Sequence, residues 1–106
     1  MMMRIITWRA NGTAPADVAP GAPIAAFNEL SAALNKVNGV GNSRWGFGNG
    51  GIVTVSDFDS FAVGDNVLKD SGTQAAVIKI FALGLGIAED HFIASAEQVM
   101  PFLPQQ

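Results

Sequence analysis

The pattern of apolar and polar positions predicts six elements in the order strand, helix, strand, strand, helix, strand. Residues 4–10 carry Ile5, Ile6, Thr7 and Trp8, which suit an extended chain, and Met2 and Met3 can lengthen it. Residues 11–23 follow neither period. Pro15, Pro20 and Pro23 keep a long helix out of this stretch, and Asp17 is placed to cap a short turn. Over residues 23–38, Ile24, Phe27, Leu30, Leu34 and Val37 draw one apolar stripe at helical spacing, with Asn28, Glu29, Asn35 and Lys36 on the wetter side. Pro23 suits the first turn, where no amide donor is needed, and Gly39 suits a left-handed stop.

Residues 44–55 read RWGFGNGGIVTV. Two extended runs flank Asn49-Gly50, the pair that best tolerates positive φ at both centres of a type I′ turn, so a tight hairpin is predicted. A cluster of capping residues follows, Ser56-Asp57-Phe58-Asp59-Ser60. Asp57 or Asp59 is expected to open a short helical piece carrying Phe61, Val63, Val67 and Leu68. Ser71 or Thr73 then opens the second helix, residues 73–83. Its run AAVIKIFAL is apolar nearly all round, which predicts burial on more than one side. Gly84 and Gly86 end it, Glu89-Asp90 mark a turn, and residues 91–96 form the last strand. The tail, residues 98–106, carries Val99, Met100, Phe102 and Leu103 and is expected to dock.

This order is the split βαβ pattern of a ferredoxin-like α+β sandwich, βαββαβ, with a four-stranded antiparallel sheet and right-handed crossovers. Residues 1–106 make one domain. Two helices cover one sheet face and leave the other bare, so that face must be polar or covered by something. Composition points the same way. Hydrophobic residues are 49% of the chain and charged residues only 14%, too few to wet the surface of a small monomer, which predicts a homodimer.

Charge and residue types exclude several functions. The net charge is −3 and the six basic residues are scattered, so neither nucleic acid nor an anionic membrane surface is an expected partner. The absence of Cys removes disulfides, thiolate catalysis and Cys-based metal sites, and a single His removes a multi-His zinc site within one chain. Gly46-Phe47-Gly48-Asn49-Gly50-Gly51 lacks the Lys-Ser/Thr ending of a nucleotide loop and is better explained by the hairpin. No metal or cofactor is therefore expected. The opening residues are too short and interrupted for a signal core, and no run reaches transmembrane length, so the cytoplasm is the default location.

The stretch SDFDSFAVGDNVLKDSGTQAAVIKIFALG resembles the dimeric α/β-barrel families, which include antibiotic-biosynthesis monooxygenase-like and stress-responsive proteins. Phe58, Phe61, Leu68, Asp70, Gln74 and Ala75 fit their layout of strand, aromatic, short helix, break and packed helix. The resemblance implies that two sheets pair through their open faces into a closed barrel. It implies nothing unique about activity, because this architecture hosts enzymes, binders and proteins without known chemistry.

Strand alternation sorts the candidate chemistry. Thr7 and Arg9 share one side of the first strand. Thr54 shares a side with Ile52 and Ser56, and His91 shares one with Ser95. Placing Thr7, Arg9, Thr54, His91 and Ser95 together on the open face gives a mixed polar lining for a small apolar or aromatic molecule. The competing reading makes them polar contacts between subunits or residues at strand ends in water. Trp8 and Trp45 are candidate aromatic walls, with core packing as the alternative. Asn11 is implied as a ligand contact only by the resemblance, since cofactor-free monooxygenases of this architecture can use an Asn near the first strand. Three readings follow: a small-molecule-binding homodimer, a cofactor-free oxygenase or isomerase of an aromatic or polyketide-like substrate, or a structural protein without ligand. In the enzyme reading, Arg9 holds an anionic oxygen and His91, the side chain that titrates near neutrality, moves a proton.

Overall fold

The computed structural model describes residues 2–12 and 21–94. Along the chain run β1 (Met2–Ala10), α1 (Ala22–Asn35), β2 (Val40–Gly48), β3 (Gly51–Phe58), α2 (Phe61–Asn66), a 3₁₀ turn (Val67–Lys69), α3 (Ser71–Ala82) and β4 (Leu85–Ala94). The sheet order is β2-β3-β1-β4 and every neighbouring pair is antiparallel, the expected ferredoxin-like α+β arrangement. The β2–β3 hairpin turns at Asn49 and Gly50, whose φ values of 52° and 72° are the positive pair that a type I′ turn demands.

Helix α1 buries Ala26, Phe27, Leu30 and Leu34 against the sheet, while Ile24 at the start of the predicted stripe stands 47% exposed. The helix ends three residues before the predicted stop, because Asn35 turns to the sheet. Its Nδ2–H donates to the Ser43 carbonyl at 3.1 Å and its Oδ1 accepts from the Ser43 N–H at 2.7 Å. Gly39 follows with φ of 91° and leads into β2. Trp8, Phe27, Phe58, Ala76 and Ile80 form the centre of the core between sheet and helices.

Four expectations are corrected. The cap of α2 is Ser60, whose side chain accepts from the Val63 N–H; Asp57 is instead a β3 residue and Asp59 N–H bonds the Gly39 carbonyl. The cap of α3 is Asp70, whose Oδ2 accepts from the Thr73 N–H and from the Thr73 hydroxyl, both at 2.9 Å. Glu89 and Asp90 mark no turn. The chain already reverses at Gly84, with φ of 80°, and β4 starts six residues before His91 and pairs with β1 along its length, with one register shift opposite Thr7/Trp8. An edge strand carries such charges readily because one flank is open to water. Finally, α3 is buried on one side only. Thr73, Ala76 and Ile80 face inward, whereas Ile78 is 65% and Phe81 49% exposed. The sheet and α1 pack against α3 from within, and among the described residues nothing lies over its outer side. The expected roles of Asp17 as a cap and of the tail as a docking segment fall outside the described residues.

Candidate functional site

The strand registers sort side chains into two faces. Arg4, Ile6 and Trp8 of β1 share the helix side with Ile52, Thr54, Ser56 and Phe58 of β3, with Ser43, Trp45 and Phe47 of β2, and with Asp90 and Phe92 of β4. Ile5, Thr7, Arg9, Arg44, Val53, Val55, Asp57, Glu89, His91 and Ile93 share the other side, over which no described element lies. The residues expected to form one polar lining are therefore divided by the sheet.

Thr7, Arg9 and His91 do lie together on the open face. Thr7 is 1% exposed there. Arg9 is held by the hairpin, its Nε–H and Nη2–H donating to the Asn49 carbonyl at 3.0 and 2.8 Å, with Glu89 3.9 Å away. His91 Nε2 lies 3.9 Å from the other Glu89 oxygen and its side chain is 64% exposed. Thr54, expected beside them, points the opposite way. Its hydroxyl accepts from Trp8 Nε1–H at 3.0 Å in the buried layer under the helices. Parity of β3 was correctly grouped, but which group faced the helices depended on the pairing with β1. Ser95 lies outside the described residues.

The two tryptophans belong to the core side. Trp8 is 2% exposed and meets the Phe27 ring edge-on at 5.6 Å. Trp45 is half-buried, stacks obliquely on Phe27 at 5.6 Å and donates its Nε1–H to Asn28 Oδ1 at 2.9 Å. Asn11 is exposed just past β1. Its N–H donates to the Gly84 carbonyl at 2.7 Å, and its amide lies over Gly86, where an added Cβ would come within 2.9 Å of Nδ2.

A partly open cavity of about 110 Å³ lies between the sheet and the helices. Ile6, Trp8, Leu34, Val77, Phe81 and Ile87 are among its apolar lining residues. Phe81 lies at 6.1 Å from the Trp8 ring, so two aromatic faces border the space. Polar lining comes from Thr54, Ser56, Thr73 and Arg4. Arg4 is committed elsewhere: Nε–H and Nη2–H grip both Asp90 carboxylate oxygens at 2.9 and 2.6 Å, Nη1–H donates to the Gly64 carbonyl, and the guanidinium lies over the Phe92 ring. Thr73 donates to Asp70, and these contacts, the backbone N–H first, hold the Asp70 carboxyl below its ordinary range. Such a space can bind an apolar body and contact it at one or two hydroxyls.

Sequence reasoning did not assign Ile6, Val77, Phe81 and Ile87 to a site. The alternation Arg4, Ile6, Trp8 was a readable signal for the first; Val77 and Phe81 needed the helix placement, and Ile87 the pairing of β4 with β1. Among the described residues, no group of three or more His, Asp or Glu side chains converges as a metal site, and no helix is long and apolar enough to cross a membrane.

No protein-family model matches the sequence. No curated protein matches it either. Solved structures do share the fold. A protein of Chloroflexus aurantiacus, provisionally named an antibiotic biosynthesis monooxygenase, is 16% identical, with a TM-score of 0.64 over 90% of this chain and 93% of the other. SnoaB of Streptomyces nogalater, described as a cofactor-independent oxygenase, is 11% identical, with a TM-score of 0.64 over 89% of each chain. A dimeric ferredoxin-like protein of unknown function from Thermobifida fusca is 18% identical, with a TM-score of 0.63 over 87% of this chain and 86% of the other. At these identities the likeness is one of fold.

Proposed function

We propose that this protein is a homodimer whose chains each bind a small apolar or aromatic molecule in the cavity between sheet and helices. The observation that carries the reading is the cavity bordered by Trp8 and Phe81, with the Trp8–Thr54 hydrogen bond fixing the inner aromatic wall. A fixed, mostly apolar concave space with a few convergent polar groups is the usual form of a small-molecule site. Dimerisation is supported by the sheet face over which no described element lies, which carries Ile5, Val53, Val55 and Ile93, and by the dimeric description of a protein with this fold. Native mass spectrometry of freshly purified protein tests both parts. The expected result is a dimer that carries, or takes up from added single-ring aromatics, one small molecule per chain. A monomer that takes up none of them refutes the reading.

A second reading is catalytic. The description of SnoaB as a cofactor-independent oxygenase, together with the shared fold and a tryptophan set against the cavity, favours oxygenation of an aromatic substrate without a cofactor. Arg9 and His91 keep their proposed roles only if the open face closes on a second chain to form a separate pocket, since the sheet stands between them and the cavity. Turnover unchanged in both Arg9→Ala and His91→Ala removes them from the mechanism.

A further inference from the structure

The hydrogen-bond inventory around the cavity leaves two buried hydroxyl donors unspent. A hydroxyl has one O–H donor and two acceptor lone pairs. Thr54 is 4% exposed; it accepts from Trp8 Nε1–H, and its own O–H donates to no group among the described residues. Two positions along the same face, Ser56 is 5% exposed and its Oγ lies 3.0 Å from Ser43 Oγ. One of these hydroxyls donates to the other, so the pair keeps one O–H without an acceptor. Both Thr54 and Ser56 line the cavity. The other polar groups there are spoken for: Thr73 donates to Asp70, and the charge of Arg4 is balanced by both oxygens of Asp90.

We infer that the molecule bound in this cavity is neutral and carries a hydrogen-bond acceptor, and that Thr54 is the residue that selects for it. The inference rests on the binding reading above and sharpens it. An acceptor oxygen placed against Thr54 takes up a donor that otherwise stays unpaired in a buried layer. Trp8 contributes by occupying one lone pair of Thr54, which turns the O–H away from the indole. An anion gains no such fit. It must shed its water in a space whose one cation already has a carboxylate partner.

The test compares three single-ring probes of similar shape, acetophenone, cumene and benzoate, by calorimetric titration of the whole chain and of Thr54→Val and Thr54→Ser. Acetophenone carries the acceptor, cumene replaces it with a methyl group, and benzoate adds the charge. Thr54→Val is expected to weaken acetophenone about fivefold while cumene stays within about twofold, as the loss of one neutral hydrogen bond predicts. Thr54→Ser should retain acetophenone binding, and benzoate should bind the parent protein most weakly. The carbonyl stretch of acetophenone bound to the parent protein should move below its frequency in hexane. That readout needs no variant, so it can refute the inference even where Thr54→Val does not fold. An unshifted carbonyl overturns the inference. So do equal losses of acetophenone and cumene in a folded Thr54→Val, or benzoate as the tightest probe. Cumene bound with none of the acceptor effects leaves the cavity reading standing and sinks the selectivity alone, whereas failure of all three probes sinks both.

Discussion

Replacing Gly51 by Ala tests the register that places Trp8 under the helices. An added Cβ at Gly51 runs into the Trp8 carbonyl oxygen and falls 3.2 Å from the Trp8 carbonyl carbon and 3.1 Å from Arg9 Cγ. Carbon contacts settle near 3.5 Å, so the two backbones must part by about 1 Å or more. The parting happens beside Trp8↔Ile52, the last pair of the β1–β3 ladder. One or two backbone hydrogen bonds are strained there, at about 1 kcal/mol each, and overpacking of this kind costs about 1–3 kcal/mol in total. Against this, Ala in a strand gains about 0.5–1 kcal/mol over Gly by lowering the entropy of the unfolded chain. The net expectation is a loss of about 1–2 kcal/mol, read in urea denaturation as a midpoint lowered by about 1 M or less. Gly46→Ala is the matched comparison. It is also a strand glycine on the open face, but its added Cβ meets nothing within 4 Å, so only the gain remains and the midpoint should rise slightly. Both variants are measured over a tenfold range of protein concentration, which separates folding from association through that face. Midpoints that move together, in either direction, refute the register argument. A Gly51→Ala protein as stable as the parent refutes it by itself.

Three further outcomes are expected. Asn35→Ala removes both hydrogen bonds to the Ser43 backbone and leaves a donor in a buried stretch without its partner, at about 1–3 kcal/mol; rapid hydrogen exchange at the Ser43 amide would mark the site, and continued protection there would show that Asn35 does not hold it. Trp8→Phe gives up the bond to Thr54 and part of a fully packed side chain, so a loss of about 1–3 kcal/mol in chemical denaturation is expected, and an unchanged midpoint would contradict the packing described. The third concerns acid. Thr73 donors lower the folded-state pKa of Asp70 below the ordinary value of 3.8, so its stabilisation is complete above that value and is lost as pH falls through the lower folded pKa. Asp70→Asn should therefore flatten the acid limb of stability against pH in that window, and an acid limb as steep as the parent's would deny Asp70 this role.

Much of the fold could be read from short-range signals. Asn49-Gly50 specifies its own turn, because few residues tolerate positive φ at two successive positions. Phe27, Leu30 and Leu34 specify which side of α1 is buried, because helical spacing brings them onto one stripe. The element order, and a sheet face over which no described element lies, follow from those pieces. Where sequence reasoning failed, local chemistry offered two good answers. Ser60 and Asp59 are both capable helix caps, and Asp70 and Ser71 likewise.

The site was the least legible part. Alternation grouped Thr54 with Ile52 and Ser56, and Thr7 with Arg9, and both groupings hold. Alternation has no sign, however. A period of two says which residues share a face and leaves open which face meets the helices. That choice is made by long-range pairing: Trp8 stands opposite Ile52, so Trp8 and Thr54 pass under α1 and α3 while Arg9 and His91 pass to the other side. The fate of α3 was decided in the same way. Its apolar run is compatible with burial all round, but the sheet and α1 reach only one flank, leaving Ile78 exposed on the other and Phe81 half exposed at the edge of the cavity. The sequence by itself thus determined the elements, their order and the residues that travel together. Tertiary packing decided which of those groups enclose a cavity, because a face becomes an interior only when a second element lies upon it.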